Sequence, residues 1–191
     1  MRNIFLFGFI VSLSFSCAQK QEEQKASLLA SFWKNEIARL QKEKPLVTKI
    51  STVNGKTDTI KTDSINWTNE LHMFVKNDLN DNELALYDVD TNIVHDTLIT
   101  SDVEGNVKYL DIPATVIVFN AKSEEQKLRK IVLSVYKPYS RVEIIIKDNQ
   151  QLYGLNKRLI YDVTSGYTIE GSQDIKFLNG INYKAEVKFE K

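Results

Sequence analysis

Apolar residues recur at helical spacing early in the chain. Leu29, Trp33, Ile37 and Leu40 are separated by four, four and three positions, and Leu28 and Phe32 widen the stripe. This period predicts an amphipathic helix over 24–43 whose apolar side packs on a sheet. Glu22 and Glu23 precede it, Arg39, Lys42 and Lys44 close it, and Pro45 stops it. From Val47 to Thr62 the pattern changes to short extended runs around Asn54-Gly55, a pair that tolerates positive φ at both turn positions. That predicts a hairpin, and its Thr- and Lys-rich strands suit an exposed edge. Trp67, Leu71, Phe74, Val75 and Leu79 mark a second helix capped by Asn66 and ended by the polar cluster 77–82. Residues 83–106 are polar, with room for one or two short strands.

Beyond Val107 the pattern is that of strands. Thr115–Phe119, Lys130–Tyr136 and Val142–Lys147 are rich in β-branched residues and apolar on both alternating faces. Such strands are expected to be covered on both sides, by helices on one and by more sheet or a barrel-like hollow on the other. The last strand alternates cleanly, with Tyr183, Ala185, Val187 and Phe189 inward and Lys184, Glu186, Lys188 and Glu190 outward. It follows Asn179-Gly180 and reads as a half-exposed strand at the end of the sheet. Together these elements predict an α+β fold, a mainly antiparallel curved sheet packed by two helices.

The first residues have a different logic. Met1-Arg2-Asn3 is a short basic start, and the apolar run from Ile4 to Phe15 covers 12 residues, too few for the roughly 20 that a helix needs to cross a bilayer. A basic start, a short apolar stretch and small residues describe a secretory signal peptide. The segment ends Leu13-Ser14-Phe15-Ser16-Cys17 and resembles the bacterial lipobox, in the looser Ser- and Phe-containing form of Bacteroidota. The resemblance implies cleavage before Cys17 and acylation of that cysteine, and two or three acyl chains on one residue anchor stably. The implied organisation is a signal peptide over 1–16, a lipidated tether over 17–23 and one α+β domain over 24–191. No Asp follows Cys17, so the enterobacterial inner-membrane retention signal is missing. Lys20-Gln21-Glu22-Glu23 resembles the acidic surface-export signal of Bacteroidota lipoproteins, and it also suits a first helical turn, where the dipole favours Glu. The expected location is the outer membrane, facing the periplasm or the cell surface.

Composition narrows the partners. Lys+Arg and Asp+Glu are both 25, and cleavage would remove only Arg2, leaving 24 against 25. Without a basic excess, duplex nucleic acid is not the expected partner. Cys17 is the single cysteine, so the expected mature domain folds without disulfides although it is exported.

The residues that could carry chemistry are few. His72 and His95 are the only histidines, and no Gly-x-Ser-x-Gly elbow accompanies them. Asp88-x-Asp90-x-Asn92 has the first spacings of a calcium loop, but Ile93 stands where its glycine belongs and Ile99 where its glutamate belongs, so the segment reads as a polar loop. No catalytic residue, metal ligand or cofactor site is assigned. Asp58-Thr59-Ile60, Asp63-Ser64-Ile65 and Asp96-Thr97-Leu98 each resemble the Bacteroidota O-glycosylation motif, which implies Thr59, Ser64 and Thr97 as acceptors. Six of the eight tyrosines lie after residue 135: Tyr136, Tyr139, Tyr153, Tyr161, Tyr167 and Tyr183. They suit strands and could also line a pocket or stack a sugar.

Trp67-Thr68-Asn69-Glu70-Leu71 with Phe74, Leu159-Ile160-Tyr161 and Ser165-Gly166-Tyr167-Thr168-Ile169 resemble segments of small Bacteroidota outer-membrane lipoproteins that carry no established activity. The resemblance implies a compartment and transfers no site. The function expected from these readings is a non-catalytic, lipid-anchored interaction or assembly module. The alternative is a carrier for an apolar ligand or a glycan, held in a hollow under the helices.

Overall fold

The computed structural model describes residues 15–101, 107–136 and 140–190, with side chains over 29–95, 114–135 and 140–190. Of the expected signal peptide, residues 1–14 lie outside them. Helix α1 runs Phe15–Glu43 and so takes in residues 17–23 as well as the stripe over 24–43. Strands β1 (Val47–Val53) and β2 (Lys56–Thr62) form the hairpin, and Asn54 and Gly55 take φ of 47° and 81° at its turn. Three one-turn helices follow, α2 (Trp67–Glu70), α3 (His72–Val75) and α4 (Asp81–Leu84). Then come β3 (Tyr87–Ser101), β4 (Val107–Ala121), β5 (Leu128–Tyr136), β6 (Ser140–Gln150), β7 (Tyr153–Asp162), β8 (Gly166–Ile175) and β9 (Ile181–Phe189).

All nine strands form one antiparallel sheet in the order β2-β1-β9-β8-β7-β6-β5-β4-β3. The α+β class and the dominance of antiparallel sheet are as the sequence predicts. Four details differ. The second helix is broken: Leu71 leaves helical geometry at φ −89° and ψ 3° between α2 and α3, and a new capping box, Asn80 with Glu83, starts α4. The 83–106 stretch, expected to hold one or two short strands, gives the single long edge strand β3, and Asp88, Asp90 and Asn92 lie on it instead of in a polar loop. The last strand is no edge, since β9 lies between β1 and β8. Among the described residues no second layer covers the outer face. Val116, Val118, Val132, Ile145 and Ile160 stand half-buried there, in rows with Glu143, Arg158 and Glu170. Their β-branching fits them to a pleated surface without a covering layer.

The core lies on the opposite, inner face. Leu133, Val142, Tyr161, Tyr167 and Val187 form one cross-strand row, and Phe119, Ile131, Ile144, Leu159 and Ile169 the next. Leu29, Trp33 and Leu40 of α1 cover these rows together with Trp67, Leu71, Phe74 and Leu84 from the short helices. Trp33 is the centre of the packing. Its ring meets Phe74 at 5.4 Å, Tyr161 at 5.5 Å and Phe32 at 4.8 Å, edge or tilted contacts that aromatic quadrupoles favour. The short helices follow α1 in antiparallel order, Gln41 meeting Thr68 of α2, Trp33 meeting Phe74 of α3, and α4 also packing on α1.

One part of the sheet leaves this frame. β3 and β4 pair over their full lengths, from Tyr87↔Ala121 to Ser101↔Val107. β5 supports β4 only from Ala114 to Asn120. Residues 95–101 and 107–113 therefore continue as a two-stranded ribbon, which at about 3.3 Å per residue projects about 23 Å past its last described support.

Candidate functional site

The strongest side-chain cluster lies between α1, α2 and the inner face, and the sequence did not announce it. Glu36 sits within the apolar stripe of α1 and is only 6% exposed. Its carboxylate accepts from the Tyr161 hydroxyl and from Arg39, whose Nε lies 2.9 Å and whose Nη2 lies 2.5 Å away. Arg39 also donates to the Val163 carbonyl at 3.2 Å and pairs with Glu43. One strand over, Tyr167 stands opposite Tyr161 in register and donates to Glu70 of α2. Glu70 in turn pairs with Lys49 of β1 at 2.7 Å. The result is two tyrosine–carboxylate–cation chains side by side.

The electrostatics follow from that burial. Loss of solvent pushes both phenols well above their ordinary value, and the adjacent Glu36 and Glu70 add to the effect. The Arg39 guanidinium is held protonated by its bonds to Glu36. Each donor has an acceptor, so the cluster satisfies polar atoms that the helix–sheet interface would otherwise bury unpaired. What it does chemically is fix α1 and α2 in position over β7 and β8. The signal in the sequence was an acidic residue at 36, between Trp33 and Leu40 on one helical face, followed by a basic residue three positions on.

The residues singled out from sequence are scattered. Cys17 lies in the first turn of α1, and its side chain is outside the described ones, as is that of Thr97 in the projecting part of β3. Thr59 on β2 and Ser64 just after it are exposed. The Thr59 amide donates to Asp58, and the Ser64 amide donates to Thr62. His72 is exposed on α3, and His95 on β3 stands in register with Pro113. Asp88, Asp90 and Asn92 alternate along an extended strand, a shape that cannot wrap a cation. Among the described residues no three His, Cys, Asp or Glu side chains gather. Of the late tyrosines, 161 and 167 come together under the helices, while 153 and 183 lie nearer the turns. The ring of Tyr183 has the Lys157 ammonium 5.8 Å from its centre.

Two grooves accompany these features. One of about 450 Å³ lies at the end of β7, β8 and β9, with Arg141, Asp162, Glu186 and Lys188 around the backbone of Gly166. Another of about 910 Å³ runs beside Gln41, Lys44 and Asp63 to Asn69. Both have mixed polar and apolar walls. Among the described residues no helix is long and apolar enough to cross a membrane.

Asp78, between α3 and α4, gives this layer a pH response. Burial raises its carboxyl from 3.8 to about 6, the Leu79 amide bond opposes the rise, and Glu83 adds to it. The folded value lies above the ordinary one, so the fold prefers the protonated acid. The benefit is full below pH 3.8 and is lost as pH rises through about 6. Asp78→Asn keeps an acceptor for Leu79 and removes the charge. It is expected to raise stability at pH 7.5 by roughly 1 kcal/mol, about 2–4 °C in melting temperature, after discounting for partial exposure. Melting curves at pH 4 and pH 7.5 test this, and equal gains at both would refute it.

No family model, curated protein or solved structure matches the chain.

Proposed function

We propose that the chain is a lipid-anchored cell-envelope protein, held in the outer membrane through Cys17, that acts as a non-catalytic interaction or assembly module. The observation that carries the module reading is the β3–β4 ribbon. β3 has a neighbour on one side only, and β4 loses its second neighbour before Ala114. Two adjoining strand edges thus stand away from the body, and among the described residues no further strand pairs with them. A soluble fold usually shortens, charges or covers such an edge, and an extended segment of another chain can extend it as a further strand. The lipobox-like segment supports the anchor. The inner face under α1 is filled by Trp33, Phe74 and Tyr161, which favours a module over a carrier with a hollow there.

The test shortens the ribbon. Val94 and Ala114 are partners, so joining them through Asn-Gly removes residues 95–113 and leaves a two-residue hairpin turn. The expected result is a melting temperature within a few degrees of the parent, because β5 pairs with β4 only from Ala114 onward, with loss of the native-host complex seen by native mass measurement of the gently solubilised protein. A shortened chain that keeps the same complex would refute the ribbon's role. Intact mass without acyl chains on Cys17 would refute the anchor.

A further inference from the structure

Three turns at one end of the sheet are tied into a single tip. The Lys176 amide donates to Leu152 at 3.1 Å, joining the β8–β9 turn to the β6–β7 turn. Asn54 and Asn182 exchange bonds of 2.9 Å, joining the β1–β2 turn to β9. Leu178 N donates to Ile175 O at 2.9 Å and closes the outermost turn. The tip is therefore a braced part of the fold.

Its side chains are unusual for a surface facing only water. Phe177 is 90% exposed, Leu178 68% and Leu152 59%, and Val53 and Ile181 extend the apolar area at its base. Phe177 also has φ of 72°, a region where Gly or Asn is at ease and an aromatic residue is strained. An aromatic side chain here is disfavoured both by its backbone and by its exposure, which points to a role outside the folded domain. The Lys176 ammonium lies 5.6 Å from the Phe177 ring centre. Lys56, the first residue of β2, follows the neighbouring turn, so within two residues of the three turns stand two cations and the one carboxylate of Asp174.

We propose that this tip inserts into the interface of the phospholipid bilayer that holds the Cys17 anchor. Phe177, Leu178 and Leu152 enter the boundary between headgroups and acyl chains, and Lys176 and Lys56 meet the lipid phosphates. The inference rests on the anchor reading above. A convex knob of three apolar side chains with flanking lysines suits a deformable interface. The charge balance at the turns complements a phosphate layer. Topology agrees: α1 ends at the opposite end of β1 from the Asn54-Gly55 turn, and its partner α4 leads into the start of β3, at the strand end that holds the three turns. A second contact of this kind would hold the domain in one orientation on the membrane and fix the direction in which the ribbon projects.

The experiment uses the full lipidated chain. Cys17 is its only thiol and is occupied when acylated, so Leu178→Cys gives one site for an environment-sensitive fluorophore and Thr59→Cys, on exposed β2, gives a control. Each labelled protein is reconstituted into phosphatidylethanolamine–phosphatidylglycerol vesicles carrying nitroxide-labelled acyl chains. The label at 178 is expected to shift to the blue and lose roughly half its emission, with the label at 59 little changed. Adding Phe177→Asn to the Leu178→Cys protein is expected to cut that quenching at least about twofold while the melting temperature holds or rises, since Asn suits the left-handed backbone. Quenching at neither site, or equally at both, overturns the tip assignment and leaves the anchor standing. Protein that lacks acyl mass and stays out of the vesicle fraction overturns the anchor, a result read before any fluorescence.

Discussion

Alanine at position 166 is expected to lower the melting temperature by roughly 10 °C, whereas alanine at position 55 lowers it by only about 3 °C. Both glycines have positive φ, 110° at Gly166 and 81° at Gly55, so both variants place a side chain where the backbone disfavours one, at about 1–2 kcal/mol. They differ in what the new Cβ meets. At Gly55 nothing lies within 4 Å. At Gly166 the Cβ would fall 2.0 Å from the Val187 carbonyl oxygen and 2.9 Å from its carbon. Backbone is in the way, so no rotamer change relieves the contact, and β9 must move away from β8. That displacement works against the pairs Gly166↔Lys188 and Tyr167↔Val187 and the bond from Phe189 N to Ser165 O. Overpacking adds about 1–3 kcal/mol or more to the conformational cost. At about 2–4 °C per kcal/mol for a chain of this size, the two variants separate clearly in a thermal melt. Equal losses would mean that β9 does not approach β8 as described.

The reach of the sequence reading can be judged residue by residue. The α1 stripe, the Asn54-Gly55 turn and the alternation of β9 were legible because they depend on local periodicity and on the φ that a turn requires. β3 was not legible, because Asp88, Asp90 and Asn92 are poor strand formers, and what extends them is pairing with Asn120, Val118 and Val116 of β4. The place of β9 inside the sheet depends on β1 arriving from the other end of the chain, which no local pattern encodes. The uncovered outer face misled in the opposite direction. Its β-branched residues imitate the pattern of a strand covered on both sides, although charged neighbours in the same rows leave them half-exposed. As for sites, Thr59 and Ser64 could be placed on the surface, but the Glu36–Tyr161 contact joins residues far apart in the chain. The exposed Phe177 carries no local signal of its own in the sequence, and only the turn geometry gives it a meaning.

Removing the carboxylate at position 36 is expected to cost about 3 kcal/mol, close to 10 °C in melting temperature. In Glu36→Ala the Tyr161 hydroxyl stays buried without an acceptor, and Arg39 keeps only Glu43 and the Val163 carbonyl. A buried donor left unpaired costs about 1–3 kcal/mol, more when a charge is involved. Glu36→Gln is milder, because its amide oxygen still accepts from Tyr161 while the pairing with Arg39 is weakened, so about 1 kcal/mol is expected. Tyr161→Phe removes one donor from a carboxylate that Arg39 still satisfies, again costing about 1 kcal/mol. The double variant Glu36→Ala with Tyr161→Phe is then expected to be less destabilised than the sum of its parts by about 1–2 kcal/mol, since the orphaned hydroxyl is absent from it. Strict additivity would refute the contact. Alkali gives an independent reading. Burial holds the Tyr161 phenol above its ordinary value of 10.0, so the fold favours the protonated form. The stability it contributes is full below pH 10 and falls as pH rises further, because the unfolded chain then releases the proton first. Tyr161→Phe is therefore expected to lose less stability than the parent between pH 9 and pH 11. If the two chains fall in parallel, Tyr161 is not buried against Glu36, and the helix would have to be held on the sheet by its apolar stripe alone.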